Sequence, residues 1–93
     1  MKATVITGLN FAGHPALTVF TVPSRFCFEP TKELLERVYQ VCQSESTEET
    51  LTAWEVSEFK GPSATMNDMI ILSREFTSPE VYIITGDDFI QIQ

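Results

Sequence analysis

Between Pro30 and Ser44 the apolar and polar positions repeat with the period of an α-helix. The apolar side chains recur at offsets of three, four and seven residues, the spacing of one helical face. They are Leu34, Leu35, Val38, Tyr39, Val41 and Cys42. The charged and amide side chains between them face water. A helix of this length is only marginally stable alone in water, so its apolar stripe predicts a sheet that it covers.

Patterns typical of β-strands precede this helix. Residues 3–9 are rich in strand-forming side chains, and residues 16–22 alternate with apolar side chains on both faces, as expected of an interior strand. A short loop containing Gly and Pro joins the two segments, which favours an antiparallel hairpin. Residues 25–29 then form a connector whose aromatic side chains, Phe26 and Phe28, are expected to pack under the helix.

The segment after the helix carries signals for two different structures. Residues 46–49 fit a helix-capping box and residues 60–62 fit a helix stop. In a helix, however, two glutamates would share the apolar face of Trp54, and the β-branched residues of the segment favour a strand. We therefore predict a strand at residues 51–59, with a helix over residues 47–60 as the alternative.

The last part of the chain is typical of a meander of antiparallel strands. Residues 69–76, 81–85 and 89–93 form apolar or alternating segments separated by turn-forming residues. The predicted fold is α+β, with a single-layer antiparallel β-sheet of about five to six strands covered on one face by one α-helix. The predicted order is β-β-α-β-β-β-β in a single small domain over residues 1–93.

The charge of the chain limits the classes of partner. Thirteen acidic and six basic residues give a net charge of −7. This charge opposes direct binding to nucleic-acid phosphates and to anionic lipid, because both need clustered Lys or Arg. We therefore expect a protein partner, with no direct contact to nucleic acid and no membrane.

The apolar pattern indicates neither a membrane span nor a secretion signal. The sequence holds no run of about 18 apolar residues, the length that a spanning helix needs. The apolar N-terminal stretch is interrupted between Asn10 and Pro15 and is not followed by a clear cleavage site. We expect a cytoplasmic protein in which Cys27 and Cys42 are reduced and buried.

Residue types that carry catalysis or bind metals are sparse. His14, the single histidine, lies in a loop with no nucleophile at a known spacing, and the two cysteines lack the spacing of a zinc site. Asp87 and Asp88 follow Gly86 as in a hairpin turn, and the positions that a calcium loop needs next are apolar. We therefore expect no enzyme, no cofactor and no metal site.

The stretch from residue 45 to residue 58 contains five acids and no base, namely Glu45, Glu48, Glu49, Glu55 and Glu58. Because charge complementarity speeds association and sets orientation, we predict that these acids bind a partner with a basic surface. A solvated acidic face that confers solubility is the simpler alternative. Trp54 lies among the acids and is either an aromatic anchor of the interface or a core residue.

Three functions are compatible with these features. We favour a small acidic non-enzymatic protein-binding module that docks a basic partner surface. It would be an inhibitor or accessory protein of the phage or mobile-element type, a class that includes anti-defence inhibitors. One alternative is a small enzyme or ligand-binding protein with a site near His14 and Arg25. The other is a structural homo-oligomer, such as a homodimer formed through the uncharged edge strand at residues 89–93.

Overall fold

The computed structural model describes residues 1–8, 15–43, 46–55 and 63–93. Within these ranges the chain forms one antiparallel five-stranded sheet and two α-helices, an α+β fold. The strands are β1 (Lys2–Thr7), β2 (Ala16–Thr21), β3 (Met69–Ser73), β4 (Glu80–Ile84) and β5 (Phe89–Gln91). The helices are α1 (Thr31–Val41) and α2 (Glu48–Ala53), and a 3₁₀ turn lies at Ser24–Phe26.

The strands lie in the spatial order β2-β1-β3-β4-β5. Thr4 of β1 is opposite Val19 of β2 on one side and opposite Ile71 of β3 on the other. The predicted hairpin and the predicted meander are therefore both confirmed. The expectation that β2 is an interior strand is wrong for the described strands, among which β2 lies at an edge of the sheet. Apolar side chains on both faces of a strand report what lies above and below the sheet, not how many strands flank it.

Helix α1 is shorter than the predicted span at both ends. Pro30 precedes it with an extended backbone, and its carbonyl accepts a hydrogen bond from the Leu34 N–H at 3.0 Å. The last helical residue is Val41. Beyond the end of the helix, the Ser46 hydroxyl lies 2.7 Å from the Gln43 carbonyl and 2.8 Å from the Gln40 carbonyl. This hydroxyl supplies a donor to carbonyls that have no partner within the helix.

The predicted strand at residues 51–59 is wrong within the part of that range that is described. This part begins in helix α2, whose first turn is capped by Thr47, with Oγ1 accepting from the Thr50 N–H at 3.1 Å. Residues 56–59 lie outside the described ranges. One of the two glutamates that argued against a helix, Glu55, follows the last helical turn with a φ of 57° and so does not share a helical face with Trp54. The other, Glu58, lies outside the described ranges.

The hydrophobic core lies between α1 and one face of the sheet. Its buried side chains include Ala3, Val5, Ile70, Leu72, Tyr82 and Ile84 from the sheet and Leu34, Leu35, Val38 and Val41 from α1. Of the two aromatic residues in the connector, Phe26 is buried in this core as expected, whereas Phe28 is 93% exposed. Only one of the two predicted anchors therefore packs under the helix.

The opposite side of the sheet is called the open sheet face below. The strand registers place on it Thr4, Ile6, Leu17, Val19, Met69, Ile71, Val81, Ile83 and Ile90, with Lys2, Thr21 and Ser73 along one end. The side chains of these residues are half-buried or exposed. Because α1 packs in the core on the other side, the fold has an apolar sheet surface on one side and a helical layer on the other.

Candidate partner-binding surface

The carboxylates of the two helices lie on one surface. In α1, Glu33 and Glu36 are exposed, and in the first turn of α2, Glu48 and Glu49 are exposed. We call these four residues the acidic helical surface. The two helices are in contact, and residues of both line one cleft.

Two adjacent shallow clefts show how the helices join. One, of about 460 Å³, is lined by Glu29, Glu33, Glu36, Arg37 and Gln40. The other, of about 300 Å³, is lined by Phe26, Arg37, Gln40, Glu49, Thr50, Ala53 and Trp54. Arg37 and Gln40 belong to both clefts, so Glu33 and Glu36 of α1 line one cleft and Glu49 of α2 lines the adjoining one. Both clefts are open to solvent rather than enclosed.

The basic residues of the described chain leave this surface acidic. Arg74 binds Glu80 with an N–O distance of 2.6 Å, and Lys32 lies 3.9 Å from Asp88. Within the described ranges no ion pair involves Glu48 or Glu49. Lys60, the other candidate for neutralising these acids, lies outside the described ranges. Among the described residues, the acids of α2 therefore have no basic partner.

Arg37 is a base that lies between the two helices, since it lines both clefts. Its Nε donates to Glu29 Oε2 at 2.6 Å, and its guanidinium carbon lies 4.2 Å from the centroid of the Phe26 ring. The hydrogen bond to Glu29 is the largest cause that raises the pKa of Arg37, and the charge of Glu33 adds to it. Arg37 is thus held by Glu29 and by an aromatic ring, and its ion pair among the described residues is with Glu29 rather than with an acid of α2.

The structure describes four of the six residues predicted from the sequence to bind a partner. Glu48 and Glu49 are exposed on α2, and Glu55 is exposed just beyond it. Glu45 and Glu58 lie outside the described ranges. Glu33 and Glu36 were not part of the predicted set, although the helical pattern already placed both on the solvent side of α1. The contact between α1 and α2 supplies the missing information, since it brings two acidic segments together.

Trp54, the sixth predicted residue, is only 5% exposed. Its ring centroid is 6.1 Å from that of Phe20 in an edge-on arrangement and 5.8 Å from that of Phe26. Such aromatic pairs stabilise a core beyond the area that they bury. In this structure Trp54 is therefore a core residue that fixes the end of α2 against the sheet and the 3₁₀ turn, not an exposed anchor.

Arg25, proposed for the alternative ligand site, supports the helix end. Its Nη2 donates to the Ala53 carbonyl at 2.9 Å, and its guanidinium carbon lies 4.8 Å from the Phe26 ring centroid. This hydrogen bond satisfies a carbonyl in the last turn of α2. Arg25 also lines an open cleft of about 660 Å³ with Trp54. His14, the other residue of that hypothesis, lies outside the described ranges.

The remaining candidate chemistry is structural in the described part of the chain. No group of three His, Cys, Asp or Glu residues there is arranged to hold a metal ion. Both cysteines are free, and burial raises the pKa of the Cys42 thiol to about 12. A thiol with this pKa stays protonated at neutral pH and is a poor nucleophile. Asp88 closes the β4–β5 turn, where its Oδ1 accepts from the Phe89 N–H at 2.8 Å.

No protein-family model, curated protein or solved structure matches this chain. Among the described residues, neither helix has the length and apolarity that a bilayer span requires. The distribution of charged and apolar side chains over the fold is therefore what bears on function.

Proposed function

We propose that this protein is a small acidic, non-enzymatic binding module of the cytoplasm. It docks the basic surface of a protein partner through the acidic helical surface, as an inhibitor or accessory protein of the phage or mobile-element type. The observation that carries the proposal is the convergence of carboxylates from α1 and α2 on one exposed layer. Among the described residues, the bases beside this layer each contact other groups: Arg37 binds Glu29, Arg25 binds the Ala53 carbonyl, and Lys32 lies 3.9 Å from Asp88.

Charge on an open surface contributes chiefly to the rate and orientation of binding. A single exposed ion pair contributes only about 0–1 kcal/mol, so one glutamate would not define a partner. Several carboxylates on one layer act together, because they attract a basic surface before contact and fix how it approaches. Binding by such a surface weakens as ionic strength rises, since salt screens charges beyond about 8–10 Å.

The fold holds these carboxylates in place before a partner arrives. Thr47 caps α2, Arg25 binds its last turn, and Trp54 anchors its end in the core. A preorganised surface loses less conformational entropy on binding than a flexible one. The acidic residues of α2 are thus displayed by a short helix that is fixed at both ends.

The test compares two variants that remove the same charge from different places. Glu48→Gln with Glu49→Gln neutralises the first turn of α2, whereas Glu75→Gln with Asp87→Asn neutralises two exposed turn residues of the sheet. Each variant and the unchanged chain are used as bait in lysate of the source cells, and the retained proteins are quantified by mass spectrometry. The proposal predicts that a set of basic proteins is lost only with the α2 variant and is released by added salt. Equal retention by all three baits would contradict it.

A further inference from the structure

The open sheet face is a contiguous apolar surface. Its three most exposed aliphatic side chains, Leu17, Val19 and Ile90, are 64%, 53% and 56% exposed. Between them lie half-buried aliphatic residues of β1, β3 and β4, namely Ile6, Met69, Ile71, Val81 and Ile83. Ile92 extends the surface by one residue, because its N–H donates to the Val81 carbonyl at 2.8 Å and continues the pairing past β5.

Such a pattern is not that of a sheet with one solvated face. Antiparallel sheets that face water on one side alternate apolar residues inward with polar residues outward. Here the outward positions of all five strands carry aliphatic side chains, and the polar ones are confined to Thr4 and to one end of the sheet. The sequence is therefore that of a sheet covered on both faces. In the described structure the helices cover only one of the two faces of the sheet.

The open sheet face is as large as the apolar patches that mark interaction sites, and its projection is about half of one side of a standard interface. Five strands about 4.8 Å apart, each with about five residues at 3.4 Å rise, span about 24 by 17 Å, or about 400 Å² in projection. Upright side chains give such a face a larger accessible area than its projection. Standard interfaces bury about 800 Å² per partner, and surface patches above a few hundred Å² usually mark interaction sites.

The charges of the chain favour a second copy as the occupant. All residues of the open sheet face are uncharged except Lys2, at its end, although 13 acids make the net charge −7. Two copies can therefore meet here without bringing carboxylates together. The acidic helical surfaces would lie beyond the sheet and a helix about 10–12 Å across, which exceeds the Debye length of about 8 Å at physiological salt. Repulsion between the two copies is then largely screened.

We propose that two copies of this chain pack their open sheet faces together as a two-fold symmetric β-sandwich. Two sheets with equal strand spacing pack about 10 Å apart with their strands crossing at about 30°. The contact is isologous, since each copy presents the same residues to the other. It differs from pairing of the edge strand β5, which would leave the open sheet face uncovered. The dimer does not depend on the proposed function, but it displays two acidic helical surfaces outward and so permits bivalent binding.

The experiment measures the mass of the full chain in solution by sedimentation velocity over a range of concentrations reaching about 100 μM. The unchanged chain is expected to sediment as a species of twice the chain mass. Val19→Lys and Leu17→Lys each place an unpaired cation in the interface and are expected to raise the dimer dissociation constant by at least about tenfold. Phe28→Lys, at a 93% exposed position outside the face, is the matched control and is expected to leave the dimer unchanged.

Circular dichroism establishes that each variant is folded before it is compared. If a lysine variant unfolds, Val19→Thr, which keeps the shape of the side chain, takes its place and is expected to weaken the dimer in the same direction. A monomer of the unchanged chain at the highest concentration would overturn the proposal. So would a dimer that is insensitive to changes at Val19 and Leu17, since it would form through another surface such as the edge of β5. Loss of the dimer in Phe28→Lys to the same degree would also overturn it.

Discussion

Tyr82 donates its phenolic O–H to Glu80 Oε1 at 2.5 Å, two residues away on the same face of β4. The other carboxylate oxygen accepts from Arg74 Nε at 2.6 Å. The hydrogen bond from Tyr82 is the largest cause that lowers the pKa of Glu80, and Arg74 lowers it further. Burial, together with the hydrogen bond to Glu80, raises the pKa of Tyr82 to about 12. These contacts join the β3–β4 turn to the sheet beside the start of α1.

Replacing Tyr82 with Phe is expected to lower the free energy of unfolding by about 1.5–3 kcal/mol at neutral pH, the range for a hydrogen bond to a charged group. A carboxyl group whose pKa is lowered by folding stabilises the folded state at pH values above its ordinary pKa, which is 4.5 for Glu80. This contribution is lost as the pH falls through the lowered pKa. The difference between the two proteins should therefore shrink in acid. Urea unfolding across this pH range measures it, with Tyr39→Phe as the control. A difference that does not change with pH would contradict the account.

Removing the cap of α2 by Thr47→Ala is expected to destabilise the protein by about 1 kcal/mol, because the Thr50 N–H loses its acceptor. Thr52→Ala changes an exposed threonine within the same helix, and it is expected to have little effect. Thermal or urea unfolding of both variants makes the comparison. Equal stability of the two would show that the segment is not a helix capped at this position.

Trp54→Ala is expected to cost about 3–5 kcal/mol of stability, the range for truncating a large buried aromatic residue. Phe28→Ala truncates an aromatic ring that is 93% exposed and is expected to change stability by less than about 0.5 kcal/mol. Urea unfolding monitored by circular dichroism compares them. If Trp54→Ala were as stable as the unchanged chain, the indole would belong to the surface, as an exposed interface anchor requires.

The buried thiol of Cys42 predicts a loss of stability in alkali. Its pKa is raised from 9.0 to about 12 in the folded chain. The contribution of the neutral thiol to the free energy of unfolding is therefore complete below pH 9 and is lost as the pH rises toward 12. Cys42→Ala should therefore show a smaller fall in the free energy of unfolding between pH 9 and pH 10, below the ordinary pKa of Tyr82. Urea unfolding at these two pH values tests this. An equal fall in the free energy of unfolding of both proteins would show that the thiol of Cys42 is exposed to water.

The elements with strong periodicity were predictable from the sequence. Helix α1 follows from the spacing of Leu34, Leu35 and Val38, and the hairpin and the meander follow from alternating segments separated by turns. Helix α2 could not be predicted from periodicity, because it is shorter than two full turns. Its end before Glu55 is set by Trp54, which is buried in the core. No pattern along the chain distinguishes an edge strand from an interior one, so β2 was misplaced.

The candidate surface was predictable only in part for a similar reason. The acids of α2 stand out as an acidic run, but their proximity to Glu33 and Glu36 depends on how two helices pack, which lies outside local pattern. The same limit applies to Phe28, which differs from Phe26 in burial although both are aromatic residues of one connector. The apolar open sheet face was visible in the strands but had been attributed to interior position.

Contact between the acidic helical surface and a basic partner can be detected by crosslinking. A photo-crosslinking amino acid at Thr52, an exposed position of α2, reports on contacts there, and one at Thr77, in the exposed β3–β4 turn, serves as the control. The account predicts an adduct with a basic protein at position 52 but not at position 77, and its loss when Glu48→Gln and Glu49→Gln are added. No adduct at position 52, or the same adduct at both positions, would contradict it.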